Sequence, residues 1–215
     1  MSRFVSWCRI LTFGLCGMLG GEVSASNVSF MKVAGNGDLV LNGKTVRKET
    51  VDTCWTMMRD MNHQDLDVFL EKERERGVRV IYTCVLLNAC DENYYHDRAL
   101  RDCNIVRPYM TNGADFNDVV QYDYWDNVKY VIERCADFNI YVVLLPLGSE
   151  VYRDNAPSRA MVRIYMNLLC QKVEGYKNVG WLLRTGQDKA TIKTDLLEEM
   201  ESAIRVHNKR QPVTY

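Results

Sequence analysis

The residues able to do chemistry stand just after apolar runs. Asp52 and Trp55 follow the first run. Asn88, Asp91, Glu92, Tyr94, Tyr95 and His96 follow the second and open a polar, aromatic loop that continues to about Tyr122. Glu150 follows the third run, and Arg184-Thr185-Gly186-Gln187-Asp188 follows the fourth. Carboxylates mixed with aromatics suit a sugar site: rings stack on the apolar side of a pyranose, and carboxylates bind hydroxyls or serve as acid and base. Each residue also has a structural alternative. Asp52 could cap a turn, Trp55 could fill a core, Tyr94, Tyr95 and His96 could pack a loop, and Asp188 could start the last helix. The sequence contains no G-x-S-x-G, H-E-x-x-H or C-x-x-C and no phosphate-binding glycine loop. His63, His96 and His207 are scattered, so neither a metal nor a cofactor is expected.

The elements that must position these residues alternate in type. Leu39-Val40-Leu41, Asn42-Gly43 and Lys44-Thr45-Val46 read as a β-hairpin. Val51 to Trp55 ends a first core strand. Asn62 caps a helix carrying Leu66, Phe69 and Leu70, which Gly77 stops. Val78–Leu87 and Ile140–Leu145 are buried strands, the second ended by Pro146. Between them a helix places Val128, Val131, Ile132 and Cys135 on one face. Ala156-Pro157 opens a helix with Met161, Ile164, Tyr165, Leu168 and Leu169. Val179–Leu183 is a strand, Leu197, Met200 and Ile204 mark the last helix, and Pro212–Tyr215 starts a fifth strand. Apolar strands alternating with amphipathic helices predict a parallel sheet covered by helices, either doubly wound or part of a (β/α)8 barrel. Both architectures keep their chemistry at the carboxyl ends of the strands.

With 215 residues, 47% hydrophobic and 26% charged, the composition is that of a globular protein and excludes fibrous, disordered and multispan membrane classes. A net charge of −1 with no basic cluster argues against nucleic acid as a partner.

Residues 1–25 read as a secretory signal peptide: Arg3, then an apolar stretch to Gly21, then Val23-Ser24-Ala25 as a cleavage site. The uninterrupted run from Ile10 to Gly21 is too short to span a bilayer. The expectation is cleavage after Ala25, a secreted or periplasmic product, and no stable membrane span thereafter. Cleavage would leave Cys54, Cys84, Cys90, Cys103, Cys135 and Cys170. Cys84, Cys135 and Cys170 lie on apolar faces and read as buried thiols, whereas Cys90 and Cys103 share one loop and could pair.

An ordered series of motifs resembles a known family. It runs Asn42-Gly43-Lys44, Asp52-Thr53-x-Trp55, Asp67-x-Phe69-Leu70-x5-Arg76-Gly77, Val78-x-Val80-Ile81, Tyr124-Trp125-x2-Val128-x2-Val131, Ile140-Tyr141-x3-Leu145-Pro146 and Tyr176-Lys177-Asn178-Val179-x-Trp181. This series is similar to the apiosidase-like glycoside hydrolases, a bacterial family with a (β/α)8 (TIM) barrel, over about residues 36–215. The resemblance implies a single domain over 26–215: a partial barrel of about four β/α units plus a fifth strand, preceded by the hairpin. It implies cleavage or binding of plant-type complex glycans, with carbohydrate as the partner. Asp188 is the candidate acid/base. Asp52, Trp55, Asn88, Tyr94, Tyr95, His96 and Glu150 are candidates for substrate contact.

Departures accompany the match. Val46-Arg47-Lys48-Glu49-Thr50 stands where the family's first strand is apolar. Leu147-Gly148-Ser149 replaces a tryptophan, and Asp188 lies two residues later than the pattern places its aspartate. The family's second carboxylate comes from a strand beyond Tyr215, so the resemblance implies a chain truncated after the fifth strand and inactive by itself. The alternative is an exported, non-catalytic glycan-binding or degenerate α/β domain. Five strands are expected to form an open arc in chain order. Its inner face would be partly exposed, and its edges open to self-association.

Overall fold

The computed structural model describes residues 29–36, 38–185 and 192–215. The expected signal peptide and Asp188 lie outside the described residues.

The chain opens with a small antiparallel sheet, β1 (Lys32–Val33), β2 (Leu39–Leu41) and β3 (Lys44–Thr45), in the order β1-β2-β3. Asn42 and Gly43 make the hairpin turn at φ 51° and 77°, which glycine adopts without strain and asparagine tolerates. Residues 46–50 do not form the expected strand. Lys48–Thr50 is a turn of 3-10 helix, closed by the Thr50 amide and hydroxyl, which both donate to the Arg47 carbonyl. These polar side chains have no buried layer to enter, and the local bonds win.

A five-stranded parallel sheet follows, in the order β4 (Val51–Thr53), β5 (Val80–Leu86), β6 (Tyr141–Leu147), β7 (Val179–Leu182) and β8 (Val213–Thr214). Sequential order with no reversal is that of a barrel arc and excludes the doubly wound alternative. Helices α1 (Met57–Asp60), α2 (His63–Glu75), α3 (Tyr124–Asp137), α4 (Ser149–Asn155), α5 (Arg159–Lys172) and α6 (Thr194–His207) fill the connections. Asn62 caps α2 as expected, its side chain accepting from the Asp65 amide. At α5 the cap is Ser158, accepting from the Met161 amide. Ile164 is 53% exposed, because α5 buries Val162, Tyr165, Met166 and Leu169 instead.

Pro146 does not end its strand. The Val142 amide donates toward β7, to the Asn178 carbonyl, and every second residue of β6 faces the same way. The register with β7 stops at Leu144 paired with Trp181, so the missing N–H of Pro146 falls where there is no strand to receive it.

The sheet separates two apolar layers. On its outer face Ile81, Val85, Val142, Leu144, Val179 and Trp181 pack against the helices. On its inner face Val80, Tyr141 and Val143 are buried against Met31 and Leu39 of the amino-terminal segment. The inner face is therefore better covered than an open arc predicts, although Val51, Tyr82 and Leu182 stay half-buried. Gly180 makes room for this plug: a Cβ there would come within 2.5 Å of the Met31 methyl. Cys90 and Cys103 form a disulfide, while Cys84, Cys135 and Cys170 are buried thiols and Cys54 a half-buried one. Among the described residues no helix is long and apolar enough to cross a membrane.

Candidate functional site

Most of the expected residues follow the carboxyl ends of the strands. Asp52 does not. It sits level with Ile81 near the start of β5, and its carboxylate accepts from the Thr53 amide and pairs with Arg76 at 2.8 Å. Arg76 also holds the buried Glu73 at 2.6 Å. The Thr53 amide is the main cause that draws the Asp52 pKa down, and burial pushes Glu73 up. The structure thus gives Asp52 a different task from sugar contact, that of joining β4 to the end of α2. Trp55 does reach the carboxyl end. The strand-like bonding of β4 continues through Cys54, whose amide donates to the Tyr82 carbonyl, to Trp55, whose carbonyl accepts from Cys84. Trp55 is half-buried there.

Beyond β5 the chain turns on Asp91. This buried carboxylate accepts from the Leu87 amide at 2.6 Å, the Asn88 amide at 3.1 Å and the Asn88 side chain at 2.7 Å. Arg59 lies 3.9 Å away. Burial raises its pKa, against the pull of those donors. Asn88 thereby has its amide nitrogen committed to the loop, and its oxygen accepts from the Cys90 amide.

The long loop from β5 to α3 is built on aromatics. His63, the first residue of α2, stacks on Tyr130 with centroids 3.6 Å apart and leans on Phe116 at 4.1 Å. Its Nε2 lies 3.1 Å from the Tyr122 hydroxyl. Burial lowers the pKa of His63. Tyr95 belongs to this packing: its hydroxyl accepts from the His63 amide at 2.8 Å, and its ring meets Phe116 edge-on. Tyr94 rests edge-on against Tyr95 and is half exposed. His96 is exposed and pairs with Glu92 at 3.1 Å. Of the three, the structure commits Tyr95 to packing and leaves Tyr94 and His96 accessible.

Asn88 and Glu150 come together. They line a cleft of about 480 Å³ with the disulfide, Asp102, Asn104 and Met161. Glu150 is exposed in the first turn of α4. Asp102 and Asn104 were not legible as cleft residues. The available signal was the pairing of Cys90 with Cys103, which draws residues 102–104 back beside Asn88. A larger cavity of about 800 Å³ lies at the opposite, amino-terminal end, lined by Phe30, Lys32, Asn42 and Arg210. Among the described residues its lining holds no carboxylate, and it borders the β2–β3 turn rather than the carboxyl end of the parallel sheet. After β7, Arg184 is half-buried, and its Nε has no hydrogen-bond partner among the described residues. Among the described residues no three His, Cys, Asp or Glu side chains are grouped to hold a metal ion.

Comparison with known proteins agrees with this geometry. The family description "Apiosidase-like, catalytic domain" matches residues 50–215. A solved structure described as "Glycoside hydrolase" superimposes with a TM-score of 0.70 at 22% identity, over 86% of this chain and 40% of that one. A glycoside hydrolase family 5 structure from Bacteroides vulgatus gives 0.69 at 21% identity, over 86% of this chain and 38% of that one. An endo-1,4-beta-mannanase from Eisenia fetida gives 0.53 at 13% identity, over 86% and 60%. At these identities the likeness is one of fold. The chain spans about 40% of the length of the first two structures. No curated protein matches the sequence.

Proposed function

The chain belongs to the apiosidase-like family of catalytic domains, and from that membership we propose that its carboxyl-end face acts on or binds plant-type complex glycans. The observation that carries this reading is the arrival of Trp55, Asn88 and Glu150 from three successive strand ends at the face where (β/α) barrels keep their chemistry. Trp55 offers a ring for stacking, and Asn88 and Glu150 offer polar groups in the cleft on the same face.

Binding is the reading favoured over turnover for these residues by themselves. Hydrolysis by two carboxylates needs groups about 5–9.5 Å apart across the scissile bond. Asp91, the buried carboxylate at this face, has its oxygens occupied by three donors. Asp52 is occupied by Arg76. Glu150 and Asp188 remain, with Asp188 proposed as the acid/base. Export is proposed with it: a leader over residues 1–25 suits the Cys90–Cys103 disulfide, which persists in an oxidising compartment.

The test is to incubate the purified chain with plant cell-wall oligosaccharides and aryl glycosides, measuring both binding and product. The reading expects saturable binding without cleavage. Turnover that disappears in Asp188→Asn would overturn the preference for binding, and absence of binding would overturn the reading as a whole.

A further inference from the structure

Six large hydrophobic side chains stand exposed on the single loop between β5 and α3: Tyr94, Tyr109, Met110, Phe116, Val119 and Val120. Val119 and Val120 are 88% and 71% exposed. A cleft of about 380 Å³ lies among them, lined by Tyr109, Val119, Val120, His96, Asp97 and Arg98 together with the Thr111–Asp123 seam. It shares only the disulfide-braced loop with the cleft of Asn88 and Glu150.

Its walls are held before any ligand arrives. The Tyr109 amide donates to the Ala99 carbonyl at 3.0 Å, and bridges pair Glu92 with Arg98 and Leu100 with Pro108. On the other side the Thr111 amide donates to Asp123 at 2.8 Å, and the Thr111 hydroxyl to the Gln121 carbonyl at 2.7 Å. Gly113 turns at φ 124° with the Gln121 side chain packed against it, where a Cβ would collide at 2.5 Å. Arg101 lies over the Tyr109 ring at 4.9 Å, yet the ring stays 45% exposed. Beside it Asp97 takes the Asn93 side chain on Oδ2 alone. The other oxygen makes no bond to the described residues.

We propose that this cleft is a second carbohydrate subsite, holding one sugar unit of a bound glycan against the free side of Tyr109. Asp97 and Arg98 take its hydroxyls, and Val119 and Val120 cover its other apolar face. A ring backed by a guanidinium, next to a carboxylate with a free oxygen, matches the apolar face and the hydroxyl rim of a pyranose. A lipid surface fits less well, because Asp97 and Asp123 line the cleft with the exposed valines and Asp118 holds the Val120 amide, and these carboxylates would repel anionic headgroups. The subsite rests on the glycan reading above, and extends it to a second position on the same carboxyl-end rim.

The experiment is isothermal titration of the full chain with neutral plant cell-wall oligosaccharides. The variants are Tyr109→Ala, Tyr109→Phe, Val120→Asp and Trp55→Ala, and a parallel arm uses phosphatidylcholine vesicles. Tyr109→Ala should weaken binding about tenfold, or about 1.4 kcal/mol, with Tyr109→Phe close to wild type. Val120→Asp, at a position exposed enough to spare the fold, should weaken binding too. Wild-type affinity in both Tyr109→Ala and Val120→Asp, with weakening in Trp55→Ala, overturns the subsite and leaves the glycan reading standing. No binding by the wild type overturns both. Vesicle binding that Val120→Asp abolishes, with glycan affinity unchanged, makes the patch a lipid contact and also overturns the subsite.

Discussion

Asp91 and Glu150 are carboxylates at neighbouring strand ends, and their surroundings set them to different work. Asp91 is buried and accepts three hydrogen bonds that shape the start of the long loop. Glu150 is exposed on the wall of a cleft. Asp91→Ala leaves the Leu87 and Asn88 amides unpaired, at a cost of about 1–3 kcal/mol. Glu150→Gln should change stability by less than about 0.5 kcal/mol while weakening glycan binding. Urea denaturation of both variants checks this, and equal destabilisation would refute the division of roles.

His63 yields a pH prediction at the same scale. Burial holds its folded pKa below the unfolded value, so the unfolded chain binds the extra proton first. The stabilisation is complete above the unfolded pKa, about 6.5, and is lost as pH falls from there toward the folded value. Melting temperature should therefore drop between pH 7 and 5, with a smaller drop in His63→Gln. An identical pH profile in the variant would show that His63 carries none of this dependence. Sequence alone could not assign His63: its neighbours Tyr95, Phe116 and Tyr122 lie far along the chain.

At the scale of elements, the disulfide is the brace of the loop that carries both clefts. Cys90 and Cys103 close a segment with a sequence separation of 13, for which chain entropy gives about 3 kcal/mol. The double variant Cys90→Ala, Cys103→Ala should lose about 2–3 kcal/mol and exchange amide hydrogens faster over residues 91–109. Unchanged exchange there would mean that the aromatic packing alone orders the loop.

The helices and inner strands were legible because their apolar periodicity is local: Leu66 and Leu70 on α2, Val128, Val131 and Ile132 on α3, Tyr141 to Leu145 on β6. Three features were not. Helix α4, Ser149–Asn155, has too short and polar a pattern to announce itself. Pro146 reads as a strand breaker unless the neighbouring strand is known to stop short. Asp52 follows the family spacing, yet it meets Arg76 through the fold rather than through the spacing.

At the scale of the whole molecule, sequential strand order and one-sided helices make an arc whose inner face needs a cover. Met31 supplies part of it, wholly buried against the sheet and fitted to the space Gly180 leaves open. Met31→Ala should cost about 2–5 kcal/mol, read from the denaturation midpoint. A change near zero would mean that the amino-terminal sheet packs on the arc without stabilising it.

The carboxyl-end face, and not the larger cavity at the amino end, is the proposed carbohydrate surface. One titration decides it most directly: the chain against plant cell-wall oligosaccharides, with Trp55→Ala at one end and Phe30→Ala at the other. Saturable binding is expected, which Trp55→Ala weakens about tenfold, or about 1.4 kcal/mol, and which Phe30→Ala leaves unchanged. Binding lost in Phe30→Ala and retained in Trp55→Ala would contradict it.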